Sequence, residues 1–250
     1  FAFLPACLFL PRPRVAWTNL AAYGMLIGVG QFGVLYIAMK GSISPGLASL
    51  VIQTQVFFTI FLAFLLFHER PTGWQVGGAA IAFAGIGVIA LDRLEGAALW
   101  PLILTILAAG CWGLGNMASK QAGRVDMLAF VAWSALVPPI PLFLASLVFD
   151  GPGAIPAALE HITWRGIGSI AFMSYVATLF GFGAWAWLLS RYPASQVSPY
   201  GLLVPVAGIA SAALFLGETV SGIEVVGSVL VFAGLLVNIF GPRLKARKPA

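Results

Sequence analysis

Trp112 and Asn116 stand four residues apart in the otherwise apolar stretch CWGLGN, so on a helix they share one face. An amide there can hydrogen-bond a zwitterion while the indole beside it packs the zwitterion's carbon stem. The structural alternative is an amide that bonds a neighbouring helix and an indole that fills the bundle. The same choice attaches to the other polar groups set in apolar runs: Gln31, Gln53, Thr54, Gln55, Thr59, Ser134, Tyr175, Thr178, Ser198, Tyr200 and Asn238. Each costs free energy in hydrocarbon, and such groups face other helices or a wet cavity. Trp185 and Trp187, two residues apart, point in different directions, so at most one is expected to line a pathway.

Gln53 and Gln55 of VIQTQVFFT are also two apart, hence about 200° apart around a helix, and cannot both face one narrow cavity. Ser49 lies one turn from Gln53 and Thr59 one turn from Gln55, so the helix carries two polar stripes. Gln55 with Thr59 is the expected pathway stripe, because the Gln53 side runs into bulky Phe57 and Ile60. Gln53 is expected to bond a neighbouring helix instead. The candidate binding residues are therefore Gln55, Thr59, Gln31, Gln53, Trp112, Asn116, Tyr175, Trp185 and Tyr200.

No catalytic residue, metal ligand or cofactor is expected. His68 and His161 lie in separate turns, neither with a second ligand at metal spacing. All eight acidic residues sit in turns or within about a turn of the end of an apolar run, so no mid-span carboxylate of the kind that relays protons is visible. No Walker loop is present, and no basic run alternates with aromatics as a nucleic-acid surface would. The expected partners are a small molecule and membrane lipid, not nucleic acid.

The elements that must position these groups follow from composition. With 60% apolar and 8% charged residues and a mean hydropathy of +0.99, the chain departs from water-soluble domains, where about a quarter of residues are charged. Runs long enough to cross a hydrocarbon core of about 30 Å recur almost end to end. Eight complete spans are expected, at residues 20–39, 46–67, 74–91, 98–118, 127–149, 167–189, 198–216 and 223–240. A partial one, FAFLPACLFL at residues 1–10, is read as the end of a helix rather than a signal peptide. Cys7 and Cys111 lie in apolar segments and define no disulfide framework. Trp17, Trp74, Trp100 and Trp164 fall near span ends as interfacial anchors. Gly24 with Gly28, and Gly78, Ala82 and Gly85, mark close helix contacts. Pro138, Pro139 and Pro141 interrupt one span, Pro199 and Pro205 another.

The chain also repeats itself. HERPTGWQVGGAAIAFAG, residues 68–85, returns 149 residues later as GETVSGIEVVGSVLVFAG, with Glu69/Glu218, Gly73/Gly222, Val76/Val225, Gly78/Gly227, Phe83/Phe232, Ala84/Ala233 and Gly85/Gly234 identical. With the C-terminal tail in the cytoplasm and sides alternating at each span, Arg12, Arg14, Arg70, Lys120, Arg124, Arg191, Arg243, Lys245, Arg247 and Lys248 face the cytoplasm. Only Lys40, Arg93 and Arg165 face the other side, as the positive-inside rule asks. Glu69 and Glu218 then fall on opposite sides, so the two copies are inverted. Inverted repeats sharing a midplane site are how many secondary transporters obtain alternating access. The copies are expected at residues 1–95 and 96–241, with a basic cytoplasmic tail at 242–250. The second copy has five spans and the first only four, so the intact architecture is expected to have ten helices, here lacking the first and part of the second.

These residues resemble the drug/metabolite transporter superfamily, and within it the EamA group of bacterial inner-membrane exporters. The resemblance is carried by SPGLASLVIQTQVFFTIFLAFLLFHERPTGWQVGGAAIAFAGIGVI, AAGCWGLGNMASKQAG, WSALVPPIPLFLASLVFDG and SPYGLLVPVAGIASAALFLGETVSG, which cover most of the chain. It implies an all-α integral membrane protein, a ten-helix bundle of two five-helix inverted repeats. It further implies export of small amino-acid-like metabolites such as cysteine or O-acetylserine, with both termini cytoplasmic. The rival class is an integral-membrane enzyme acting on lipid-linked substrates, which would need an acid, base, nucleophile or metal set near the interface. A pore would need a continuous polar lining, and the spans are too apolar for one.

Overall fold

A computed structural model describes residues 8–41, 43, 45–93, 99–216 and 221–246. Glu218, the boundary expected near residue 95, most of the segment 1–10 and the end of the basic tail lie outside the described residues. Among the described residues every regular element is helical. They are α1 (Trp17–Lys40), α2 (Ala48–Phe67), α3 (Gly73–Arg93), α4 (Leu99–Gln121), α5 (Met127–Phe149), the short α6 (Ala154–Glu160), α7 (Trp164–Arg191), α8 (residues 194–216) and α9 (Gly222–Ala246). Seven of these, all but α6 and α8, hold a stretch long and apolar enough to cross a membrane. The chain packs as two compact units, residues 1–33 with 115–191 and residues 34–114 with 192–250.

The first unit is organised around the break in α5. Asp126 starts that helix by accepting from the backbone N–H groups of Leu128 and Ala129 at 3.0 and 3.1 Å, a carboxylate N-cap. The α-helix stops at Ser134 and resumes at Pro139. Pro138 and Pro139 have no N–H to continue the ladder, and regular bonding restarts with Leu142 N–H to Pro138 O at 3.0 Å. α1 receives the bent segment on its glycines: a Cβ on Gly24 would collide with Ser134 O and Val137, and one on Gly28 with Pro138. Edge-to-face contacts Tyr23–Phe130 (5.0 Å) and Trp17–Trp133 (6.2 Å) extend the seam.

In the second unit, α3 and α9 carry the two copies of the repeated motif, and they lie against each other. A Cβ on Gly78 would sit 2.6 Å from Gly234 O, and one on Gly85 would sit 2.5 Å from Gly227 O. Gly78 precedes Gly85 while Gly234 follows Gly227, so the helices run antiparallel. Each glycine meets the counterpart of the other, which is the contact pattern of a two-fold relation. Without side chains at these four positions the backbones approach closely, and dispersion rather than water expulsion drives the contact in lipid. Asn238 Nδ2 donates to Gln75 O across the same seam at 2.9 Å. Leu50, Val56, Ala82, Ile86, Ile89, Leu202, Val231 and Leu235 form the buried cluster beside it. Gly234→Val is expected to destabilise the protein by about 1–3 kcal/mol through overpacking. Gly87→Ala, where nothing lies within 4 Å of an added Cβ, should leave the melting temperature in detergent unchanged or slightly raised. Equal melting temperatures for the two variants would show that the glycine seam carries no packing.

Four helices depart from regular α geometry. Met25–Gly33 of α1 and Phe172–Phe182 of α7 are π-helical, while Ile52–Thr54 of α2 and Ser198–Leu202 of α8 are 3₁₀. Shifted by the 149 residues of the repeat, residues 25–33 fall on 174–182 and residues 52–54 on 201–203, so the irregular segments occupy corresponding places. Pro199 lies in the 3₁₀ segment of α8, as expected of an interruption, but Pro205 sits near the start of the helix Leu203–Leu216, where a missing N–H is tolerated. The expected single span 198–216 is thus a compound element whose α-helical part is 14 residues long.

Candidate functional site

Four candidate residues, Gln31, Asn116, Tyr175 and Trp185, fall in the first unit on helices that meet. Trp185 Nε1 donates to Asn116 Oδ1 at 3.1 Å, across 69 residues of sequence. Asn116 is 2% exposed, and this bond fixes which way its amide is turned, with the acceptor at the indole and the donor end away from it. Trp185 follows the π-helical segment of α7 by one turn. That segment touches the one in α1 through Phe32 and Phe182, whose rings meet edge to face at 5.8 Å. Gln31, beside Phe32, is buried, and its Oε1 has no hydrogen-bond partner among the described residues. Tyr175 lies half-buried in the same π-helical stretch of α7. π-Helical turns inside α-helices frequently mark functional positions, and this unit gathers two of them, one containing the buried amide of Gln31 and the other followed by the Trp185 that bonds Asn116.

The indole bonded to Asn116 is therefore Trp185. Trp112, one turn earlier on α4, packs in the second unit against Ile52, Ala108 and Ala109 with Phe58. Trp187 is exposed, with the Arg191 guanidinium over its ring at 4.6 Å. Spacing alone paired the amide with the nearest tryptophan on its own helix. A bond to a tryptophan 69 residues further on left no local signal.

In the second unit Gln53, Gln55 and Thr59 are all completely buried. Thr59 Oγ1 donates to Gln55 Oε1 at 3.1 Å, so that stripe is tied within its own helix. Gln53 stands in the 3₁₀ turn of α2, and neither its Oε1 nor its Nε2 has a partner among the described residues. Among the described residues the interhelical bond expected of Gln53 is absent. A 3₁₀ turn has three residues per turn rather than 3.6, so a regular helical projection does not describe the direction of a side chain within it. Ser198, in the corresponding 3₁₀ segment of α8, is likewise fully buried with its hydroxyl unpartnered, while Tyr200 two residues on is 45% exposed.

An all-helical protein with neutral amides buried at irregular turns can bind a polar solute without making or breaking bonds in it. The family model for the EamA-like transporter family matches residues 1–91 and 99–240. The chain belongs to that family. Within the EamA group, it is 42% identical over 247 residues to the Salmonella typhimurium LT2 protein named "Probable amino-acid metabolite efflux pump", covering 96% of this chain and 83% of that one. The Escherichia coli K12 protein of the same name is 42% identical over 245 residues, covering 96% and 82%. A Streptantibioticus cattleyicolor protein named "Probable terminal-alkyne amino-acid exporter" is 26% identical over 95% of this chain and 80% of its own length. A solved structure described only as "Crystal structure of protein" superposes with a TM-score of 0.71, covering 94% of this chain and 80% of that chain at 20% identity. That likeness carries the fold alone. For an EamA transporter, Trp185 is placed by its bond to Asn116, whereas Trp112 is placed by packing.

Proposed function

We propose that the chain exports small amino-acid-like metabolites, of the kind of cysteine or O-acetylserine, across the bacterial inner membrane by alternating access. The observation that carries this reading is the 42% identity, over 96% of the chain, to relatives named as amino-acid metabolite efflux pumps. The site chemistry agrees with it. A zwitterion presents a carboxylate and an ammonium group, and neutral amides such as Asn116 and Gln31 of the first unit can donate to one and accept from the other without burying a net charge. The chain performs no covalent chemistry of its own. Residues 1–95 and 96–241 act as two inverted copies whose α3 and α9 meet at the glycine seam, and residues 242–250 form the cytoplasmic tail.

Efflux from proteoliposomes loaded with a panel of labelled amino acids tests the substrate class. Cysteine or O-acetylserine should leave faster than large aromatic or cationic amino acids, and equal rates for all, or none, would overturn the proposal. The orientation has its own test, motivated by the ten-to-three division of basic residues between the two sides. Single cysteines placed in the tail and in the turn at 68–72 should resist an impermeant maleimide applied to intact cells and react in everted vesicles. Efficient labelling of either in intact cells would reverse the topology.

A further inference from the structure

The repeated motif contains a glutamate that neither the glycine seam nor the amide sites use. α2 ends with His68 in the left-handed region (φ 55°) and with Glu69 N–H reaching back to Ala63 O at 3.3 Å. The left-handed residue turns the chain out of the helix, and it fixes the direction in which the next side chain leaves. Glu69 Oε2 accepts the backbone N–H of Ala194 at 2.8 Å, across 125 residues of sequence. Ala194 is the first helical residue of α8. Its preceding residue, Pro193, supplies no side-chain acceptor, although its carbonyl takes the N–H groups of Gln196 and Val197 at 3.0 and 3.3 Å. The first N–H groups of a helix have no partner within it, and a carboxylate there gains from both charge and the helix dipole. The cap of α8 thus comes from the end of α2.

Beside this bond the packing is open. An apolar cavity of about 610 Å³ reaches Ser195, bounded by Phe61 and Phe64 of α2, Pro71, and Gln75 and Val76 of α3. The start of α8 is held to α2 by a polar contact and has room next to it, whereas the two 3₁₀ turns give α2 and α8 a place to bend. A hydrogen bond breaks and re-forms without repacking a core. We propose that Glu69 is a positioning residue for transport, a latch whose bond to Ala194 holds the start of α8 against the end of α2, and whose release lets that end of the second unit open.

The inference rests on the transporter reading but not on the choice of substrate, and its test needs no substrate. In the full chain with Cys7→Ser and Cys111→Ser, one reporter is Ser195→Cys, 5% exposed and next to the latch. The other is Ile43→Cys, 5% exposed and just before the opposite end of α2. Labelling by an impermeant maleimide is followed in right-side-out and everted vesicles. Glu69→Ala is expected to raise labelling at position 195 about tenfold, equivalent to about 1.4 kcal/mol, and to lower it at position 43. Glu69→Gln, which keeps an acceptor oxygen without the charge, should shift both in the same directions by about threefold and carries the test if the alanine variant does not fold. Labelling that rises at both ends, or that does not change at position 195, would reduce Glu69 to an ordinary cap and overturn the latch. Should wild-type protein export no member of the amino-acid panel, the substrate reading fails while the labelling result stands.

Discussion

Asn116→Leu is expected to cut efflux of the preferred amino acid by about 10–100-fold, because a hydrogen bond to a charged substrate group contributes about 1.5–3 kcal/mol and each 1.4 kcal/mol is tenfold in affinity. The loss should enter as a raised KM in proteoliposome efflux. Leucine fills nearly the same volume, so packing around position 116 is kept. What the substitution also does is strip Trp185 Nε1 of the acceptor it holds at 3.1 Å, and an orphaned donor costs about 1–3 kcal/mol of stability. A double variant separates the two effects. In Asn116→Leu/Trp185→Phe the indole N–H is gone as well, so the melting temperature should return towards the starting value, as expected when both partners of a bond are replaced by apolar groups. Efflux should remain low. If efflux instead recovers together with stability, the amide serves only to hold Trp185, and the substrate meets other groups.

Much of the architecture could be read from hydropathy because the membrane imposes a length and forbids unpaired backbone. The span expected at residues 127–149 has those same limits in the structure. Where ends moved, local caps moved them. α7 begins at Trp164, three residues before the expected 167, since Thr163 Oγ1 accepts from Gly166 N–H at 3.1 Å and starts the helix inside a polar stretch. The glycine stripe was legible as packing, since a side chain cannot be accommodated where two backbones touch, although the partner of each glycine was not. The π turn of α7 and the 3₁₀ turn of α2 left no local signature, unlike the proline in the 3₁₀ turn of α8: Gly181 is the only glycine in Phe172–Phe182, and hydrogen-bond register in such segments is set by what the helix packs on. For the same reason the candidate residues could be paired within one helix, as Gln55 with Thr59, but not between helices. Asn116 and Trp185 are joined by tertiary structure, and Gln53 was assigned a neighbouring-helix bond on a regular helical projection that the 3₁₀ turn at Ile52–Thr54 invalidates.

Gln53→Leu is expected to make the protein more stable and a worse exporter. A completely buried amide whose oxygen and nitrogen both lack partners among the described residues carries a desolvation cost of about 1–3 kcal/mol that no bond returns. Leucine at this position removes the cost and keeps most of the volume, so the gain should be of that size. For a chain of this length, 1 kcal/mol moves the melting temperature by about 2–4 °C, and a rise of several degrees in detergent, followed by intrinsic tryptophan fluorescence, is readable. Gln55→Leu should differ in sign, because it deletes a bond that Gln55 already makes, accepting from the fully buried Thr59 Oγ1 at 3.1 Å. A protein that keeps a costly polar group against its own stability commonly does so for function, and for a transporter the function open to a buried amide at a helix break is to meet the solute when the helix opens. Efflux by Gln53→Leu should therefore fall at least tenfold even as the protein melts later. A lower melting temperature would mean that the amide is bonded in the native protein, and unchanged efflux would remove Gln53 from the site; either result returns the pathway to the Asn116–Trp185 pair and Gln31.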